Sequence, residues 1–528
     1  MTPDHRLFSL RSRGQDGFTL IELLVSIVIL GVLSAIVVFS VRGIGDKGHK
    51  SAIAADAATL RTAQESYCAK HGHYGTVDDL KTAGLLSGEP VYNAVVVGEE
   101  NKCGRGEKSS FALYDTSTPT ERAADAIPAG TAPSDLAVDE KNNRVYVVAT
   151  GSNDVTVIDG KTDAPVGPPI NVSGAVAGPN SIAVDPDRGR VYVAGTNGVA
   201  IIDTTNANQV TRVGNYSATV SGLGVSPENG DVYVAGGPGL APEIAYIAAG
   251  SSSATPITMP PPGVVGGTNG MEFSFDPVRH AVYFAKQASV NGTATNTGPN
   301  TTIGLYRIST QDHTADIVTQ FPTRGSCGTN TGDFLVGNSA RGSVAVDPAR
   351  NLVYLLARRC VPEPGKPSNW KQVPTTIVIN PGDGSSTPIN DSPAIPTGNY
   401  AAVYNSAAGA VYVYSGGGTH CGGTGGRIDR IVGRTVTGQS LVCPTTGGGN
   451  LPGKITVLKN LNRIFIAQQN VVGSPGGIGI VDGSTLLTQA PLGTPRAFTT
   501  LAANNITAKV YAVDTVNGTV AVFRTGTA

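Results

Sequence analysis

The sequence predicts two structural classes in series. An N-terminal α+β module, one long hydrophobic helix with a small sheet, is followed by an all-β propeller; eight blades are favoured and seven remain open. Three observations carry this. Residues 18–41 hold a single charge, Glu22, in an otherwise uncharged and mostly apolar run of 24. A strand–turn–strand unit recurs between residues 136 and 513. The 528 residues include 68 Gly and 34 Pro, which supply the turns that many short strands require.

Taken in order, residues 1–17 form a short leader carrying Arg6, Arg11 and Arg13 against Asp4 and Asp16, and ending at Gly17. As a helix, the run that follows is ~36 Å long, enough to cross a bilayer. Glu22 stands near its start, where a lone carboxylate in hydrocarbon needs a partner or a proton. A secretory signal would have a shorter apolar core with a small-x-small site after it. A plain anchor would not place a charge there.

The segment G-F-T-L-I-E, with Gly17, Phe18 and Glu22, resembles the prepilin signature of type IV pilins and pseudopilins. The resemblance implies cleavage by a prepilin peptidase between Gly17 and Phe18, N-methylation of Phe18, and assembly through Glu22. In that family the Glu of one subunit neutralises the N-terminal amine of its neighbour. Gly17 suits the cut because a residue without a side chain lets the backbone be approached closely. The implied partners are the peptidase, the pilus assembly machinery, other pilins packed along the N-terminal helix, and the cytoplasmic membrane before assembly.

The helix is expected to continue to residue 70, with Ile53, Ala57, Leu60 and Tyr67 on one face. Gly43, Gly45 and Gly48 weaken it between its halves. A small head at 71–118 should hold a short helix at 77–83 and strands at 92–97 and 110–115. The pilin module thus spans 18–118.

From 119 to 528 the texture is repetitive. LAVDEKNNRVYVV at 136–148, IAVDPDRGRVYVA at 182–194 and VAVDPARNLVYLL at 344–356 are clear copies among eight. Their aromatic anchors are Tyr146, Tyr192, Tyr233, Tyr283, Tyr354, Tyr412, Phe465 and Tyr511, spaced 41 to 71 residues apart. Such spacings fit four strands plus variable loops, and a unit of that size must stack on neighbours to bury its faces. The motif is similar to the YVTN family of β-propellers. The last copy ends on a third strand at 518–523, and 121–128 reads as the missing outer strand, so the two ends of the chain should share one blade. Only residues 116–120 separate head from propeller, too few for a free linker.

Six Cys in an exported chain suggest disulfides. Short separation pairs Cys68 with Cys103, Cys327 with Cys360, and Cys421 with Cys443. Net charge is −1, which offers nothing to nucleic acid. His71 and His73 lie in a head loop and read as solvated. Asp185-Pro-Asp187-Arg-Gly189 lacks the later carboxylates of a calcium loop and coincides with a repeat turn. No nucleophile elbow, Walker loop or recurring carboxylate pair occurs, so no catalytic residue, metal or cofactor is expected. The reading that follows is a modular pilin on an extracellular filament, most naturally a low-copy tip subunit for adhesion through an unidentified ligand of the propeller. The alternatives are a major subunit decorated by the propeller, or a type II secretion pseudopilin.

Overall fold

The computed structural model describes residues 51–97, 103, 111–115, 126–236, 244–260, 272–289, 301–324, 335–336, 344–363, 366–389, 400–416, 426–442, 450–470, 477–489 and 498–524. The leader, Gly17, Phe18, Glu22 and the apolar run 18–41 lie outside them, as do Cys327, Cys421, Cys443 and the expected domain boundary at 118/119. Among the described residues no helix is long and apolar enough to cross a membrane. The chain divides into two compact units, Met1–Asp56 and Ala57–Ala528.

Helix α1, described over 51–71, buries Ala57, Leu60, Ala63, Gln64, Tyr67 and Cys68, the three-and-four spacing of one helical face. Gly72 ends it with φ 77°, its amide donating to the Cys68 carbonyl at 2.8 Å. Gln64, fully buried, closes the next loop by bonding both backbone groups of Gly75. Helix α2, Val77–Thr82, starts with a reciprocal cap between Thr76 and Asp79. Strands β1, Asn93–Val97, and β2, Phe111–Asp115, pair antiparallel. A disulfide joins Cys68 to Cys103, with Cα atoms 5.5 Å apart, and staples α1 to the segment between these strands. Cys360 is also disulfide-bonded, to a partner outside the described residues.

Eight blades follow. Their first strands are Pro133–Asp139, Ser181–Asp185, Val220–Val225, Ser274–Asp276, Val344–Asp347, Tyr400–Asn405, Asn450–Leu458 and Phe498–Asn504. Each pairs antiparallel with the strand that carries the aromatic anchor. The anchor strands are buried along nearly their whole length, as in Ala410–Ser415, rather than on alternate residues. Both of their faces are covered by the adjoining blades, so runs such as Val-Tyr-Val-Val are the expected composition. First strands keep a partial alternation because one side faces the axis, as in Pro133–Asp139.

Blade 8 takes its outer strand from the far end of the propeller. Ile127–Pro128 pairs with Thr519–Val520, and the Ala129 amide donates to the Gly518 carbonyl. Blades 4 and 5 merge into one nine-stranded sheet through Leu335–Val336, which pairs with both. Their strands Leu352–Glu363 and Lys366–Ile379 run well past the ordinary blade length.

The first turn of each repeat staples it to the next. In Asp-Pro-x-Arg copies the buried Asp accepts two backbone amides and the Arg guanidinium, as for Asp347 and Arg350. The Arg also donates to a carbonyl of the following blade: Arg279 to Pro348 at 2.7 Å, Arg350 to Gly409 at 2.9 Å. Anchor hydroxyls reach onward too, Tyr354 to the Gly433 carbonyl and Tyr412 to that of Gly483. Lys509 of blade 8 donates to Gly160, Lys161 and Asp163 of blade 1, closing the ring.

The turns between third and fourth strands carry carboxyls whose pKa values are lowered. Asp159 accepts the amides of Thr162 and Lys161, and with Arg144 beside it its carboxyl falls to about 2. Thr205 and Ser385 likewise lower Asp203 and Asp383. A carboxyl whose folded pKa is depressed stabilises above its unfolded value of ~3.9 and ceases to do so as pH falls through the folded value. The thermal midpoint should therefore hold steady above pH ~5 and drop between pH ~4 and ~2. A midpoint unchanged down to pH ~2 would contradict this role for the turn carboxylates.

Candidate functional site

Besides the ring closure, the junction of head and propeller and the propeller axis bring together residues that are distant in sequence. At the junction, β2 runs parallel to Thr488–Gln489, the short outer strand of blade 7, with Tyr114 opposite Thr488 and Asp115 opposite Gln489. The order β1–β2–blade 7 is one six-stranded sheet. The buried Thr488 hydroxyl donates to the Leu113 carbonyl at 2.8 Å, and Leu113 is itself buried. Arg61 of α1 donates to the Thr485 carbonyl at 2.8 Å, and desolvation there lowers its pKa. Leu486, at φ 57°, turns back so that its side chain covers Gly438 on blade 6. The head thus continues a blade where that blade's own edge is only two residues long.

At the axis, Asp135 of blade 1 gathers three other blades. Its carboxylate receives the Lys454 ammonium at 2.8 Å, the Thr500 hydroxyl at 3.2 Å and the Ile182 amide at 3.3 Å. Desolvation opposes the charge on Lys454, but the Asp135 carboxylate, with Glu272 adding to it, raises the ammonium above its ordinary value. Asp135, Ser181, Lys454 and Thr500 each stand four residues before the end of the first-strand motif, so the repeat itself brings them to one level. The arrangement is a structural cross-brace with a half-exposed cation.

His71 and His73 flank Tyr67, His71 stacking on its ring at 4.1 Å between centroids. Among the described residues no cluster of His, Cys, Asp or Glu could hold a metal ion. The repeat turn at 185–189 is built as a turn: Asp185 accepts the amides of Asp187 and Arg188.

Residues 12–38 match the prokaryotic N-terminal methylation motif. The N-terminus carries a prepilin-type methylation motif. Part of the chain is similar to curated proteins named type II secretion system core protein G. Identity is 35% over 69 residues with that of Klebsiella michiganensis and 39% over 64 residues with that of Escherichia coli K12. These alignments take in 13% and 12% of this chain and 49% and 44% of the relatives. The chain spans about half the length of the curated relatives it matches. Among solved structures, the C-terminal WD40 domain of Sif2 aligns over 77% of this chain and all of its own at 9% identity and TM-score 0.47. Kuenenia stuttgartiensis hydrazine synthase aligns over 78% and 99% of the two chains at 13% identity and TM-score 0.42. At these scores the likenesses carry no argument about activity. The chain is a fusion: a prepilin-type N-terminus with pseudopilin-like sequence, and an eight-bladed propeller.

Proposed function

We propose that this chain is a modular type IV pilin, processed between Gly17 and Phe18, whose propeller is carried on an extracellular filament as a low-copy tip subunit that binds surfaces. The observation that carries the proposal is the shared sheet between β2 and blade 7. It joins β2 of the head to blade 7 of the propeller through backbone pairing. Filament helices lie ~8–10 Å apart, whereas 400 residues of propeller are roughly 55 Å wide. One such body per subunit would crowd a shaft, and a tip position relieves the conflict. The propeller is assigned a binding role rather than a catalytic one. Before assembly the chain resides in the cytoplasmic membrane.

A second reading is favoured by the names of the curated relatives: a type II secretion pseudopilin, with the propeller in or beyond the periplasm. A deletion strain separates the two. Attachment to surfaces should be lost while filaments and protein secretion persist. Loss of secretion with attachment intact would transfer the assignment to the pseudopilin.

A further inference from the structure

The eight first turns do not fill the gaps between blades equally. The residue three beyond the last position of the first strand is Arg279 in blade 4 and Arg350 in blade 5, each bridging to the next blade. The same position in blade 6 is Ala408, within Asn405-Ser406-Ala407-Ala408-Gly409. Asn405 replaces the Asp and makes the inter-blade bridge itself, donating to the Lys459 carbonyl and to Asn462. The volume that an Arg fills one blade earlier is open, and a cavity of about 400 Å³ lies there between blades 6 and 7.

Its chemistry is one-sided. Ala407, Ala408 and Ala410 form a small apolar wall, and the Asn462 amide and Ser484 hydroxyl, bonded to each other, line the polar side. Arg430 and Lys459 supply two cations, and among the described residues no carboxylate lines the space. Arg430 is held in place by the Gly483 and Ser484 carbonyls through Nη1 and by Thr437 through Nε; its Nη2 makes no hydrogen bond among the described residues. The Lys459 ammonium likewise has no ion pair among them, and the residue is exposed. Asp482, on the same turn, is already engaged by Ser484 and Thr485. Two cations beside donors and a flat apolar wall suit a carboxylate attached to a hydroxylated ring, and the volume is in the range of small-ligand sites.

We infer that the gap between blades 6 and 7 is a binding site for a carboxylated sugar, its carboxylate between Arg430 and Lys459 and its ring over the alanine wall. The site is independent of where on a filament the chain sits. The test is calorimetric titration of the purified mature chain in detergent with glucuronate, glucose and inorganic phosphate. Glucuronate should bind saturably and glucose should not. Lys459→Glu reverses an exposed charge, and Ala408→Met fills the cavity from a turn; each should weaken glucuronate about tenfold or more while leaving the melting temperature unchanged. Absence of glucuronate binding to the unaltered chain, equal binding of glucose, binding of phosphate alone, or glucuronate binding that survives both substitutions would overturn the assignment.

Discussion

Replacing Gly17 by Glu should leave the whole population of this chain unprocessed, with its N-terminus at Met1 and none of it in filaments. The peptidase must take the backbone before Phe18 in an extended, closely approached form, which a side chain at Gly17 obstructs. Without the cut there is no free amine at Phe18 and no partner for the Glu22 carboxylate of a neighbouring subunit, whose burial alone costs several kcal/mol. The effect is therefore close to all-or-none rather than graded. Glu22→Val separates the two steps: it should be cleaved normally and still fail to assemble. Mass spectrometry of membrane and filament fractions reads both outcomes. A mature N-terminus at Phe18 in the Gly17→Glu variant would refute the processing argument.

The second large effect is expected at the closure of the ring. Ile127 is 4% exposed and lies among Val145, Val147, Tyr511, Val520 and Val522, which belong to blades 1 and 8. Ile127→Ala should cost ~2–4 kcal/mol from lost burial and the cavity left behind. Ile127→Asp should cost more, because a carboxylate there has no partner. Detaching 127–128 also bares the edge of Thr519–Arg524, an invitation to aggregation. Val516→Asp, at a side chain 79% exposed, is the matched control and should change nothing measurable. Denaturant unfolding of the full chain with equal midpoints for Ile127→Asp and Val516→Asp would contradict the closure.

Much of this fold was legible in the sequence because repetition multiplies a weak signal. A single Val-Tyr-Val-Ala could sit in any strand, but eight aromatic anchors at similar spacing define blades, and a last copy lacking its fourth strand points to closure by the other end. The expected outer strand covered 121–128, and the described pairing is confined to Ile127–Pro128. The junction was legible only as a short connection. Parallel pairing of two residues of β2 with Thr488–Gln489 leaves no pattern in either segment, because two residues are too few to show an alternation. The axial brace was hidden for another reason: Asp135 and Lys454 lie 319 residues apart, at positions where other copies carry residues as different as Ser181, Glu272, Ala401 and Thr500. The cavity at Ala408 becomes visible only when the turns are superposed and one long side chain is missing.

Tip adhesion requires a propeller that is joined to the prepilin-type head and carried to the end of a filament. Immunogold labelling of intact filaments with antibodies against the propeller tests this most directly. A single cluster of gold at filament ends, absent from the Gly17→Glu strain, is the predicted result. Gold distributed along the whole shaft would contradict the tip placement and assign the chain to the bulk of the filament.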